Sequence, residues 1–252
     1  MEVPILTKIS DANGADEAIV VIKGYLSDKS DPEEGSDDYV QRLRDVGWNG
    51  SIYSLWWDAS IEDKLSTDTR ESDRSTTRVM TPIEIEDISA TRKYWLKVKE
   101  RAKRAGRDHT MPLIREQISE SKVSILAHSL GARVAYYTLR TVASNLLALN
   151  SDLKFENVYL LGGAVRRDSS KDWGKVALAV RGQIVNVHNK DDTVLSKFYR
   201  SIELRQNACG RKKIKDEHPS ITNIDARYVI NSTCHAAYRK FLFGTIAVYF
   251  HR

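Results

Sequence analysis

Cysteine is scarce: Cys209 and Cys234 are the two in 252 residues. Two thiols cannot build a disulfide framework, so a packed core has to hold the fold, and a reducing compartment is the default expectation. Long apolar runs are missing too. No stretch of eighteen or more apolar residues occurs, so no transmembrane helix is expected. The start, Met1-Glu2-Val3-Pro4-Ile5, is acidic and lacks a basic segment ahead of an apolar one. No cleaved secretory signal is expected from it, and the cytoplasm is the expected location unless a signal-independent route exports the chain. Metal-ligand spacing of Cys and His is also absent, so neither a metal nor another cofactor is expected.

What is present supports a core of ordinary size. Hydrophobic residues make up 41% and charged residues 29%, the balance of a soluble globular chain rather than a disordered one. The length suits one domain over residues 1–252. Apolar, β-branched runs at 18–23, 51–57, 123–127, 158–163, 184–188 and 226–230 read as buried strands. Helical spacing separates several of them, as with Tyr39, Val40, Leu43 and Val46. Such alternation predicts an α/β fold, a mostly parallel central sheet with helices on both faces. Residues 58–88 break the pattern. They are rich in Asp, Glu, Ser, Thr and Arg, with no apolar residue from Thr67 to Thr77, and read as an exposed polar insertion.

One segment carries chemistry: Val123-Ser124-Ile125-Leu126-Ala127-His128-Ser129-Leu130-Gly131-Ala132-Arg133. An apolar strand runs into a small-x-Ser-x-small turn, and Ala132, Ala135, Tyr136, Leu139, Ala143 and Leu146 then recur at helical spacing. Strand, tight turn and helix in that order form the setting of a nucleophile elbow. The residues two before and two after the serine must be small, and here they are Ala127 and Gly131. Ser129 is the candidate nucleophile.

A serine hydroxyl needs a base, and the base needs a carboxylate that fixes its tautomer. In this architecture the chain order is Ser, acid, His, with each group at the carboxyl end of a strand. Asn189-Lys190-Asp191-Asp192-Thr193-Val194-Leu195 follows the strand at 184–188 and supplies two carboxylates. Asp192 is favoured and Asp191 competes, with a helix N-cap as the ordinary role for either. Among six histidines, His235 is favoured as base because it follows the run ending at Ile230 and opens a helical stretch at 236–243. His218, in a polar loop before Pro219, is second. His128 should point elsewhere on the turn, and His188 reads as a satisfied core histidine. The oxyanion hole needs two backbone N–H donors. Leu130 gives one, and the loop opened by Gly24 gives the other, with Tyr25 or Leu26 as donor.

Charge adds a further expectation. The net charge is +5, and eight of the sixteen residues 92–107 are Lys or Arg, with a second basic run at 211–215. Such faces can rest on an anionic membrane surface, although a charge run is commonly a solvated helix face. Nucleic acid is not the expected partner, and the sequence is silent on oligomeric state.

The residues around Ser129, Asp192 and His235 resemble the α/β-hydrolase superfamily, with Ala-His-Ser-Leu-Gly in place of the commoner Gly-x-Ser-x-Gly. Gly24-Tyr25-Leu26, Tyr53-Ser-Leu-Trp-Trp, Asn157-Val-Tyr-Leu-Leu-Gly-Gly-Ala, Val185-Asn-Val-His-Asn-Lys-Asp-Asp-Thr-Val-Leu, Tyr199-Arg200 and Tyr238 look more narrowly like the hydrolase domain of the transmembrane-and-coiled-coil family. The chain shows neither the membrane segment nor the coiled coil of the longer relatives. The resemblance implies a Ser129–Asp192–His235 triad and hydrolysis of a carboxylic ester, with a lipid or phospholipid ester as the sharper version. The competing class is a non-catalytic protein that keeps the scaffold and uses its basic surfaces to bind a membrane, nucleic acid or a protein.

Overall fold

Alternation along the strands decides how the sheet is covered. Ala18, Val20 and Ile22 point to one face, with Tyr53, Leu55, Ile125 and Leu160 beside them. Ile19 and Val21 point to the other, with Ile52, Leu126, Tyr159 and Val185. Both sets are buried, so the sheet is covered on both sides and its strands are apolar nearly throughout. Each fully buried Val, Leu or Ile contributes roughly 1.5–3 kcal/mol, which makes this double layer the main stabilising feature.

In the computed structural model the described residues are 2–24, 36–59, 88–149, 154–230, 232–238 and 246. Among them seven strands form one sheet: Ile5–Ser10 (β1), Glu17–Ile22 (β2), Ser51–Trp56 (β3), Lys122–His128 (β4), Val158–Leu161 (β5), Ile184–His188 (β6) and Ile221–Asp225 (β7). Their order is β1-β3-β2-β4-β5-β6-β7. β1 runs antiparallel to β3, and every other pair is parallel.

Among the described residues the main helices are Ser36–Asp45 (α1), Ile88–Arg104 (α2), Thr110–Gln117 (α3), Gly131–Leu149 (α4) and Trp173–Ala177 (α5), with a π-helical turn, Ala105–His109, joining α2 to α3. α1 packs on the Ile19 face through Tyr39 and Leu43, while α2 to α5 cover the Val20 face. This is the α/β-hydrolase-like architecture that the residue pattern predicts. From β2 the chain steps to β3 on one side and then crosses to β4 on the other. The order reverses there, so the crevice beyond the carboxyl ends of β2 and β4 is the natural place for a site.

Three expectations need correction. The strand expected at 226–230 lies five residues earlier, as β7, and Ala226–Tyr228 is a 3₁₀ turn. β7 is partly exposed along its whole length, so it lacks the apolar run that marks a buried strand, whereas Ala226 and Ile230 are apolar because they plug the Ile19-side core. Next, α4 is buried all round over residues 131–139 rather than on one stripe, because α2, the π turn and α5 pack around it as well as the sheet. Finally, Asp58 is 4% exposed and ion-paired to Arg101 at 3.1 Å, so the polar insertion does not begin there. Residues 60–87 of the expected insertion lie outside the described residues.

The basic run at 92–107 is not one free face. Lys99 pairs with Glu203, Arg101 with Asp58, Lys103 with Glu100 and Arg107 with Asp108. Among the described residues, no helix is long and apolar enough to cross a membrane.

Candidate active site

Ser129 sits where β4 ends and α4 begins, with φ at +56°. That is left-handed backbone, which costs a non-glycine residue on the order of 1–3 kcal/mol unless its surroundings impose it. Here they do. The Ser129 N–H donates to Leu161 O at 3.0 Å, and Ser129 O accepts from the N–H groups of Ala132 at 3.2 Å and Ala164 at 2.9 Å. Small residues make the turn possible: a Cβ on Gly131 would fall 2.2 Å from Ile22 O, and one on Gly24 would fall 2.8 Å from the Ser129 Cβ. The chain leaving β2 therefore passes directly against the serine.

The strained turn aims the hydroxyl at a histidine. Ser129 Oγ lies 2.7 Å from His235 Nε2, and His235 Nδ1 lies 2.6 Å from Asp192 Oδ2. A carboxylate only accepts, so Nδ1 carries the imidazole hydrogen and Nε2 is left as the acceptor for the serine proton. Asp192 is 1% exposed, and its other oxygen, Oδ1, accepts the Leu195 N–H at 2.9 Å. One side chain thus makes both contacts weighed for the aspartate pair, one to the histidine and one to a backbone N–H at the start of the next turn. Asp191 is exposed, its backbone N–H donating to Asn189 Oδ1. The segment after Asp192 is a π-helical turn, Val194–Tyr199, that runs on through Ile202.

Several other residues hold these three groups in place. Asn189 is 2% exposed and donates to Ser232 O at 2.9 Å, and Thr193 binds Thr233 O through both its N–H and its hydroxyl. These bonds strap the aspartate loop to the loop that delivers His235. His128 does point away from the serine, as expected, but it has work at the site. Its Nε2 donates to the carbonyl oxygen of His235 at 3.2 Å, and the two rings lie 5.0 Å apart. Tyr238 packs beside both histidines and donates to Gly210 O at 3.0 Å. Burial pushes its phenol well up, and the nearby Asp192 charge adds to this. No residue spacing announces Asn189 or His128; their roles exist only once four loops meet at one end of the sheet.

Leu130 follows the serine, and its N–H has no acceptor among the described residues. It sits at the start of the 19-residue α4, where the helix dipole favours negative charge. Tyr25, the expected second donor, lies outside the described residues. His218 is not at the site: its Nδ1 accepts the Ser220 N–H at 3.1 Å just before β7. His188 is not the satisfied core histidine expected. It is half-buried beside Asp225, its Nδ1 has no partner among the described residues, and burial lowers its pKa.

Several known proteins are similar to the chain. An uncharacterized membrane protein of Schizosaccharomyces pombe is 32% identical over 148 residues, 58% of this chain and 18% of the relative. A transmembrane and coiled-coil domain-containing protein of Oryza sativa is 30% identical over 146 residues, 57% of this chain and 21% of the relative. The chain therefore spans about a fifth of the length of these relatives. Among solved structures, a serine hydrolase without a lid from Xanthomonas campestris is similar at 12% identity and a TM-score of 0.40, over 98% of this chain and 88% of the other. Residues 77–247, about two thirds of the sequence, match the model of one family, and the chain belongs to it: the family described as protein of unknown function, DUF726.

Proposed function

We propose that this chain is a serine hydrolase that cleaves a carboxylic ester through an acyl-enzyme. The observation that carries the reading is the hydrogen-bonded line from Ser129 Oγ through His235 to the buried Asp192, with the serine on strained left-handed backbone. A packing role for that serine would not need the strain.

The steps follow from the geometry. The Ser129 oxygen attacks the ester carbonyl while its proton passes to His235 Nε2, 2.7 Å away. His235 becomes an imidazolium, stabilised by the Asp192 carboxylate on its Nδ1–H. Because Leu195 N–H holds Oδ1, the carboxylate keeps Oδ2 on the ring. The oxyanion takes the Leu130 N–H at the α4 N-terminus, and Tyr25, which follows Gly24 in the sequence, is the residue proposed for the second donor. His235 then returns the proton to the leaving alkoxide, and the acyl group stays on Ser129. Water, deprotonated by His235, releases the acid. As the relatives are named as membrane proteins, a lipid ester is the substrate class we would try first.

The test is labelling with a fluorophosphonate, followed by a panel of acyl esters and phospholipids. Wild type should label and Ser129→Ala should not. A folded wild type that neither labels nor cleaves any ester would favour a binding protein built on the same scaffold.

A further inference from the structure

A second cluster of charged groups lies between α2, α4 and the loop after β5. Arg133, on the first turn of α4, is 7% exposed; its Nε donates to Lys99 O at 3.2 Å, and its guanidinium lies 5.3 Å from the Tyr137 ring. The Lys171 ammonium lies 5.7 Å from the same ring and 5.3 Å from that of Tyr136, whose hydroxyl donates to Lys171 O at 2.6 Å. Two cations therefore converge on one tyrosine. Among the described residues neither makes an ion pair, whereas the neighbouring Lys99 and Arg166 are matched by Glu203 and Asp168. Two cation–π contacts, each about 0.5–2 kcal/mol, do not neutralise the charge they hold together.

Tyr199 supplies an independent observation. It is 1% exposed, and its hydroxyl has no hydrogen-bond partner among the described residues. Its ring packs edge-on against Trp95 at 5.8 Å; the Trp95 indole N–H and the Lys99 ammonium share Glu203, and the Lys99 carbonyl oxygen accepts from Arg133. Leaving a buried hydroxyl unsatisfied costs about 1–3 kcal/mol. Burial also keeps the phenol protonated, so it has a proton to donate to an acceptor. A π-helical turn delivers it, a geometry that recurs at functional positions. Burial, together with Arg133, Arg166, Lys99 and Arg140, lowers Lys171 to about 8, the mark of an ammonium whose charge lacks compensation.

We propose that Arg133, Lys171 and the Tyr199 hydroxyl form a binding site for a phosphate group. Two cations that form no ion pair among the described residues, and one neutral donor, from three separate segments, match a dianion with several terminal oxygens. A single carboxylate would leave one charge unbalanced. Guanidinium, ammonium and phenol are each common partners of phosphate oxygens. The site does not use the Ser129 hydroxyl, so it stands whether or not the chain is a hydrolase.

The test is the affinity of the whole chain for inorganic phosphate, read from the rise in Tm and from calorimetry against chloride at equal ionic strength. Lys171→Met should weaken binding about tenfold and Tyr199→Phe about fivefold, the loss of one charged and one neutral hydrogen bond. Lys175→Met, an exposed lysine on α5, and Ser129→Ala should both stay within about twofold of wild type. Tyr199→Phe removes one unpartnered oxygen, so circular dichroism and Tm without phosphate should match or exceed the wild type. A second arm separates the sources of the phosphate. Sedimentation with phosphatidylcholine vesicles carrying phosphatidic acid, lost in Lys171→Met, marks a lipid headgroup; binding of glycerol 3-phosphate without vesicle binding marks a soluble ester. No shift beyond chloride in the wild type, or equal affinity in wild type, Lys171→Met and Tyr199→Phe, overturns the proposal.

Discussion

His128 Nε2 donates to the carbonyl oxygen of His235 at 3.2 Å, so the residue just before the candidate nucleophile fixes the backbone of the candidate base. The two residues are 107 apart in sequence. Strand β4 thereby positions both ends of the Ser129–His235 hydrogen bond. Replacing His128 by Phe keeps a ring against His235 but removes the donor. One neutral hydrogen bond is worth about 1 kcal/mol, so fluorophosphonate labelling should slow roughly fivefold while the Tm moves little. His128→Gln, which restores an N–H, should recover part of the rate. Equal rates in all three proteins would show that the contact does not position His235.

Asp191 and Asp192 are adjacent yet differently placed: one exposed, the other 1% exposed with both oxygens engaged. Asp192→Asn should cut the labelling rate by roughly 10³–10⁴, because an amide can present its NH₂ to the imidazole and turn the wrong tautomer toward Ser129. Asp192→Ala should also lose about 1 kcal/mol of stability with the bond to Leu195 N–H. Asp191→Asn should label at the wild-type rate. A reversed pattern would move the acid to Asp191.

The φ of +56° at Ser129 makes a prediction about stability alone. Ser129→Ala and Ser129→Gly both remove the hydroxyl, but alanine keeps a Cβ in the left-handed region. That costs about 1–2 kcal/mol, against about 0.5–1 kcal/mol for the extra entropy glycine loses on folding. Ser129→Gly should therefore be the more stable of the two by up to about 1.5 kcal/mol in urea unfolding. An alanine variant equal or superior in stability would mean that the turn relaxes when the hydroxyl is gone.

How much of this was legible follows from where each signal originates. β2, β4, β5 and β6 could be read because burial on both faces writes a continuous apolar run into the chain. The elbow could be read because a close approach, Gly131 against Ile22 O, restricts residue size locally. β7 could not, since an edge strand needs no apolar run, and β1 pairs along the opposite edge with an exposed, alternating sequence. The preference for His235 over His218 rested on a strand at 226–230 that is a turn. The structure still brings His235 to Ser129, with the loop at 232–233 bonded to Asn189 and Thr193. His128, Asn189 and Tyr238 bond to partners set by tertiary packing, which no local pattern encodes.

The two cysteines should separate cleanly in a thiol titration. Cys209 is fully buried, its Sγ against Gly163 O, and burial pushes the thiol up to about 12. Cys234 is exposed and adjoins His235. A thiolate is the reactive form, so native protein should react with one equivalent of a disulfide reagent and denatured protein with two. A bulky adduct on Cys234 should also slow fluorophosphonate labelling, whereas a methylthio adduct should slow it less. Two fast thiols in the native protein would mean that the turn around Cys209 opens.

Glu203 links the fold to pH. Its carboxylate accepts from Trp95 Nε1 at 2.7 Å and from Lys99 Nζ at 2.5 Å, joining α2 to the turn after Tyr199. Burial alone would push this carboxyl up, but the bonds from Lys99 and Trp95 and the nearby Arg133 charge outweigh it and hold Glu203 below its usual value of 4.5. A carboxyl with a depressed folded-state pKa binds protons more readily once unfolded. Its contribution is complete above about pH 4.5 and is lost as the pH falls through the folded value. Stability in urea should thus decline below pH 4.5 in the wild type and decline less in Glu203→Gln, which can still accept from Trp95 but has no charge to lose. At pH 7 the same variant should be the less stable, since it leaves Lys99 half-buried without a counter-charge. Parallel curves for the two proteins across that range would place the acid sensitivity in other depressed carboxylates, such as Asp168 and Asp225, each paired to an arginine two residues away.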